Sequence, residues 1–149
     1  MTDKKNIDLL GIGNAITDIL VEVDYNFLEK MKLNIGAMQL TDYETINKTI
    51  NLFKDTKVSA GGSVANTISM VANLGNRCAF IGRRKNDTEG KLFSESMSSS
   101  NVLLPNSEVE FGKASSTCLV MITPNGERTM LTYLGASTNL TEDDVDLEL

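Results

Sequence analysis

The chain has 149 residues, of which 41% are hydrophobic, and it carries a formal net charge of −6. This length and apolar content suffice for one folded domain with a packed core. An acidic chain lacks the basic surface that nucleic acids and anionic membranes attract, so neither is an expected partner.

Histidine is absent, which removes the commonest general base at neutral pH and the commonest zinc ligand. The two cysteines, Cys78 and Cys118, lie far apart in apolar segments, and we interpret both as small core residues. The lack of a disulfide framework favours a reducing cytoplasm. The charged residues 1–6, and the acids within the apolar stretch after them, indicate neither a signal peptide nor a membrane span.

The first part of the chain predicts strands. Residues 7–13 predict a short buried strand that ends in a glycine turn. Within residues 19–24, Ile19, Val21 and Val23 alternate with Leu20, Glu22 and Asp24, which is typical of a strand with one wetter face. Residues 35–40 predict another short strand, with no helix between these two.

Helices and strands then alternate along the chain. Residues 41–44 have the pattern of a capping box, and Val58 predicts the core of a brief strand. The apolar spacing predicts helices over about 44–53, 64–74 and 88–97, with strands at 77–81 and 101–104. This alternation predicts a parallel α/β core.

The last part of the chain predicts a hairpin. Two strand-like runs, 117–123 and 127–134, flank the turn residues Pro124-Asn125-Gly126. These strands and those near 19–40 could form a separate small sheet. Residues 141–144 predict the start of a helix, with acids in its first turn.

A glycine pair before a helix is the most informative motif. Gly61 and Gly62 precede the stretch predicted to be helical, and Asn66 lies in its first turn. Glycines permit close approach of the backbone, and a helix N-terminus presents unpaired N–H groups, so a polar ligand could contact the main chain here. The alternatives are a tight strand-to-helix connection and an asparagine that serves only the backbone.

Two charged features have both a functional and a structural interpretation. Asp18 shares strand parity with Glu22 and Asp24, so it is either one more solvated acid or a carboxylate that accepts hydrogen bonds from substrate hydroxyls. The basic run 83–85 is interpreted as a solvated loop rather than a phosphate clamp.

Residues 60–66 have the sequence Ala-Gly-Gly-Ser-Val-Ala-Asn, and they are followed by Gly75 and by Asp87 to Gly90. Together these segments resemble the first signature of the PfkB, or ribokinase-like, carbohydrate and nucleoside kinases. The segment from Gly11 to Ile19 is similar to the adenosine-kinase branch. Lys85 and Asn86 depart from the family pattern, which usually has a glycine and an acid there.

The resemblance implies a ribokinase-like three-layer α/β/α core with a small β-sheet lid, and it implies that residues 1–149 form the N-terminal half of that core. The strands near 18–40 and 117–134 would form the lid. The substrate-binding residues implied by the resemblance are Asn14, Asp18, Gly61, Gly62 and Asn66.

The resemblance also implies chemistry that this sequence does not contain. The family's catalytic aspartate lies in a Gly-Ala-Gly-Asp type motif, which is absent here together with the ATP-binding half. The complete enzyme would use ATP and Mg²⁺ to phosphorylate a sugar or nucleoside, whereas this chain alone is expected to be inactive. A ribokinase- or fructokinase-like sugar kinase and a non-catalytic binding or interaction module are the alternatives. A homodimer or a C-terminal complement would be its partner.

Overall fold

A computed structural model describes residues 7–145 of the chain. The strands are β1 (Leu9–Ile12), β2 (Ile16–Glu22), β3 (Met38–Leu40), β4 (Lys57–Gly61), β5 (Cys78–Ile81), β6 (Val102–Leu103), β7 (Ser116–Ile122) and β8 (Arg128–Tyr133). The α-helices are α1 (Tyr25–Lys30), α2 (Tyr43–Ile50), α3 (Ser63–Asn73) and α4 (Thr88–Ser99). Two short 3-10 helices follow at Gly135–Asn139 and Glu142–Asp144.

The first sheet is parallel, with the strand order β1-β5-β6. Helices α3 and α4 cover one of its faces, and the core between them includes Phe80, Phe93 and Met97, all almost fully buried. The parallel α/β core predicted from the alternating pattern is confirmed for these strands. Both cysteines are buried as free thiols, also as predicted.

The second sheet has five strands in the order β3-β8-β7-β2-β4. Strands β7 and β8 form the predicted antiparallel hairpin, while β2 runs parallel to β7 and β3 runs parallel to β8. One face packs on α1 and α2 through a core that includes Ile19, Leu28 and Leu119. The opposite face carries Asp18, and we call it the Asp18 face.

Strand β4 was predicted to belong to the parallel core, and this is wrong. It pairs antiparallel with β2 as the edge strand of the second sheet. Val58 lies in this strand as predicted, pairs with Ile19 and is 41% exposed at that edge. Periodicity identifies a strand, but it does not identify the strand's partner.

The predicted absence of a helix between the strands near 19–40 is also wrong. Helix α1 begins there, because the Asp24 carboxylate accepts a hydrogen bond of 2.7 Å from the Phe27 backbone N–H and Leu28 is fully buried. A helix of six residues is too short to reveal its periodicity.

Three local expectations need smaller corrections. The residue that caps α2 is Asp42 and not Thr41, whose backbone N–H pairs with Thr132 instead. Strand β1 is not buried, since Leu10 and Ile12 are 40% and 48% exposed at the edge of the first sheet. The helix predicted from residue 141 is a single 3-10 turn up to Asp144, and any continuation past residue 145 lies outside the described residues.

Candidate ligand-binding site

The site lies where β2 and β4 meet the N-terminus of α3. Gly61 is the last residue of β4, and it pairs with Ile16, two residues before Asp18. A Cβ atom at Gly61 would collide with the carboxyl group of Asp18. Only glycine therefore lets this carboxylate lie directly against the β4 backbone.

Gly62 forms the bend from β4 into α3. Its φ of 94° lies in the region that favours glycine, and a Cβ there would lie 2.8 Å from the backbone oxygen of Asn14. Gly62 is the N-cap of α3, and no side chain caps this helix within the described residues. The first-turn N–H groups of α3 are therefore without a side-chain acceptor among the described residues.

The carboxylate of Asp18 is half-buried and has no hydrogen-bond donor among residues 7–145. Burial raises its pKa from 3.8 to about 6, and the charge of Arg128 opposes this rise. Ionising a partly desolvated carboxylate costs free energy unless donors surround it. The Asp18 carboxylate is thus a hydrogen-bond acceptor that no donor satisfies within the described residues.

The two asparagines implied by the family resemblance lie near these residues but are exposed. The backbone N–H of Asn66 donates to the Gly62 oxygen at 2.9 Å, and its side chain forms no hydrogen bond within the described part of the chain. Asn14 approaches Gly62 through its backbone oxygen. The geometry therefore brings Asp18, Gly61 and Gly62 together, with the amide group of Asn66 free for a ligand.

Sequence reasoning missed the neighbours of Asp18 on the second sheet. Ser59, Asp18, Cys118, Thr132 and Leu40 form one cross-strand row. The Thr132 hydroxyl donates to the Cys118 sulfur at 3.2 Å, and burial raises the pKa of the Cys118 thiol to about 11. Strand parity places each residue on a face, but only the register brings this row together.

An apolar patch adjoins this row. The next row of the Asp18 face consists of Lys57, Leu20, Val120, Met130 and Met38. Met38 is 52% exposed and Leu40, at the end of the Asp18 row, is 62% exposed. One face of the sheet thus presents a carboxylate at one side and exposed apolar side chains at the other.

A family model described as pfkB family carbohydrate kinase matches residues 31–149. The chain belongs to this family. Solved structures agree in fold: an adenosine kinase from Sinorhizobium meliloti is 33% identical, with a TM-score of 0.86 over 94% of this chain. A probable sugar kinase from Rhizobium etli is 31% identical, with a TM-score of 0.87 over 95% of the chain.

An adenosine kinase from Schistosoma mansoni, solved with adenosine, is 25% identical over 93% of the chain, with a TM-score of 0.80. The chain spans 43% of the Sinorhizobium and Rhizobium proteins and 41% of the Schistosoma enzyme. The incomplete ribokinase-like fold with a second β-sheet, which the sequence predicts, is therefore confirmed.

The basic run of this pfkB family member is not a solvated loop. Arg84 is 3% exposed, its Nε donates to Ser94 at 2.7 Å, and it forms an ion pair of 3.3 Å with Glu108. Its Nη2 donates to the Asn106 carbonyl, and Arg83 pairs with Asp144 at 2.7 Å. With only 3% of Arg84 exposed, its guanidinium is directed into the protein rather than toward a phosphate in solvent.

The family implies Mg²⁺-ATP as the phosphoryl donor of a complete enzyme. Within residues 7–145, no three histidine, cysteine, aspartate or glutamate side chains gather as metal ligands. No helix in this part of the chain has the length and apolar character to span a membrane.

Proposed function

We propose that this chain supplies the acceptor-binding part of an ATP-dependent kinase that phosphorylates a hydroxyl group of a nucleoside or sugar. The observation that carries this proposal is the half-buried carboxylate of Asp18, without a donor in the described chain and directly against Gly61. Membership of the pfkB family supports the reaction class.

In this proposal, the ionised Asp18 accepts hydrogen bonds from two hydroxyls of the acceptor, which a carboxylate does well. Gly61 and Gly62 allow the sugar ring to approach the main chain, and the amide of Asn66 donates or accepts a further bond. The second sheet acts as a lid that covers the acceptor and excludes water. The phosphoryl-transfer machinery lies outside the described residues.

A nucleoside is the favoured acceptor. Neighbouring strands lie roughly 4.8 Å apart, so Asp18 and Leu40, three strands apart, are separated by about 14 Å along their row. A ribose at Asp18 would leave a base within reach of the exposed apolar chains of Met38 and Leu40. Two of the similar structures named above are adenosine kinases, which supports this preference.

The complete catalyst, in our proposal, uses ATP and Mg²⁺ and includes a counterpart to the remaining length of the relatives, in the same chain or as a separate one. Two buried free thiols suit a reducing cytoplasm. The chain by itself is expected to bind the acceptor without turning over ATP.

The test is calorimetric titration of the chain with adenosine, ribose and fructose at pH 8. We expect adenosine to bind more tightly than either sugar, and Asp18→Asn to weaken this binding about 10- to 100-fold, as expected for a charged hydrogen-bond acceptor. Glu22→Gln is the matched control, since Glu22 is an exposed acid on the same strand and face.

Tighter binding of ribose or fructose would assign the chain to the sugar kinases instead. Binding that Asp18→Asn leaves unchanged would contradict the proposed site. Binding of none of the three would favour a non-catalytic interaction module.

A further inference from the structure

Helix α4 lies behind the second sheet, on the face opposite to Asp18, and is tied to that sheet by polar contacts. Thr17 is fully buried on β2, and its Oγ1 donates to the backbone oxygen of Glu89, in the first turn of α4, at 2.7 Å. Because side chains alternate along a strand, Thr17 points to α4 while its neighbour Asp18 points to the opposite face.

A second contact joins α4 to β4. The backbone N–H of Ala60 donates to Oγ of Ser96 at 2.9 Å. Strand β4 is the edge of the second sheet, so this N–H has no further strand to pair with, and Ser96 satisfies it. Ala60 directly precedes Gly61, on which the Asp18 carboxylate lies.

These two contacts act on a single cross-strand pair. Thr17 and Ala60 are register partners between β2 and β4. Their partners on α4, Glu89 and Ser96, are two helical turns apart and therefore lie on one side of that helix. Helix α4 thus holds both strands at the pair that lies immediately beside Asp18 and Gly61.

We propose that Thr17 and Ser96 are positioning residues, through which α4 sets the placement of the Asp18 carboxylate against the Gly61 backbone. This inference rests on the proposed function, because it assigns these side chains to the binding of the same acceptor. Supporting hydrogen bonds matter here because a carboxylate and a backbone that contact one ligand must keep a fixed separation.

The test combines conservative variants with matched controls. Thr17→Val removes the hydroxyl at nearly constant shape and Thr17→Ser retains it, while Ser96→Ala removes the hydroxyl and Ser96→Thr retains it. Thr49→Val is the control for Thr17, because Thr49 is also buried and donates to a backbone carbonyl at 2.8 Å, but on α2. Ser99→Ala is the control on α4, where the hydroxyl bonds only to the Ser96 backbone oxygen.

Two quantities are measured for each variant, the dissociation constant of adenosine and the pH midpoint of the Asp18 carboxyl ¹³C resonance. We expect Thr17→Val and Ser96→Ala to weaken adenosine binding about 10-fold, because a displaced carboxylate loses the geometry that its bonds to the ligand require, and to shift the Asp18 midpoint. We expect Thr49→Val and Ser99→Ala to change neither quantity, even if Thr49→Val lowers stability. Thr17→Ser and Ser96→Thr should behave like the parent chain.

Unchanged affinity and an unchanged Asp18 midpoint in both Thr17→Val and Ser96→Ala would overturn the positioning role. If Asp18→Asn abolishes binding in the same series, the proposed function survives that result. If Asp18→Asn has no effect on adenosine binding, the proposed function fails, and the ¹³C midpoint alone then decides the positioning role. If Thr17→Val does not fold, the adenosine dissociation constant and the Asp18 midpoint of Ser96→Ala, compared with those of Ser99→Ala, decide the positioning role.

Discussion

Replacing Asp18 by asparagine should make the protein more stable at neutral pH while it weakens ligand binding. The pKa of Asp18 is raised from 3.8 to about 6 by burial, so the ionised carboxylate is disfavoured in the folded chain. Such a rise corresponds to about 3 kcal/mol. Because the group is partly exposed, we expect solvent screening to reduce this to about 1–2 kcal/mol.

The sign of the pH dependence follows from proton binding. Between pH 3.8 and about 6, the folded state holds the Asp18 proton more tightly than the unfolded state, so this group lowers stability as the pH rises through that window. Asp18→Asn is neutral at every pH and lacks this loss. The variant should therefore match the parent near pH 3.5 and exceed it at pH 8.

The assay is urea unfolding of the parent chain, Asp18→Asn and Glu22→Gln at several pH values from 3.5 to 8. The difference between parent and variant cancels the contributions of all other titrating groups, and Glu22→Gln controls for the general removal of one negative charge. The reasoning is refuted if Asp18→Asn is no more stable than the parent at pH 8. It is equally refuted if the stability difference is the same at every pH.

Other expected outcomes can be checked with the same materials. Adenosine affinity should fall about 10-fold per pH unit below pH 6, as Asp18 takes up the proton that binding must release, and a flat titration series would contradict this. Gly61→Ala should abolish binding because its Cβ displaces the Asp18 carboxylate; retained affinity in calorimetry would disprove that contact. Arg84→Met should destabilise by about 1–3 kcal/mol in urea unfolding, because it leaves the buried Asn106 carbonyl without its Arg84 donor. Cys118 should resist iodoacetamide at pH 8 until the chain unfolds, since burial raises its pKa to about 11; rapid labelling read by mass spectrometry would count against its burial.

Several features that depend on nearby residues were predicted correctly from the sequence. The glycine pair before α3 and the hairpin turn at 124–126 are local signals, and both features are observed. The Asp87 cap of α4 is similarly local, since its carboxylate accepts from the Gly90 N–H. Family resemblance then supplied the candidate site residues, which spacing alone left open.

Features that depend on distant partners were not predictable in this way. The edge position of β4 follows from its register with β2 and not from its own pattern. The burial of Arg84 depends on Glu108 and Asn106, which lie in the loop after β6. A run of three basic residues gives no sign of such partners, so charge alone favoured the solvated interpretation.

The parallel pairing of β2 with β7 has a consequence for how the protein is made. Residue 16 pairs with residue 116 and residue 22 with residue 122, so the strand that carries Asp18 has no neighbour on one side until β7 has been synthesised. Pairings between such distant segments form slowly, because a long loop must close first. During translation, the edge of β2 that later pairs with β7 therefore stays unpaired, and its apolar face stays exposed. In this interval chaperones can bind the strand, or it can pair with a wrong strand. The row that contains Asp18, in the proposed acceptor site, is consequently incomplete until Cys118 of β7 has been added to the chain.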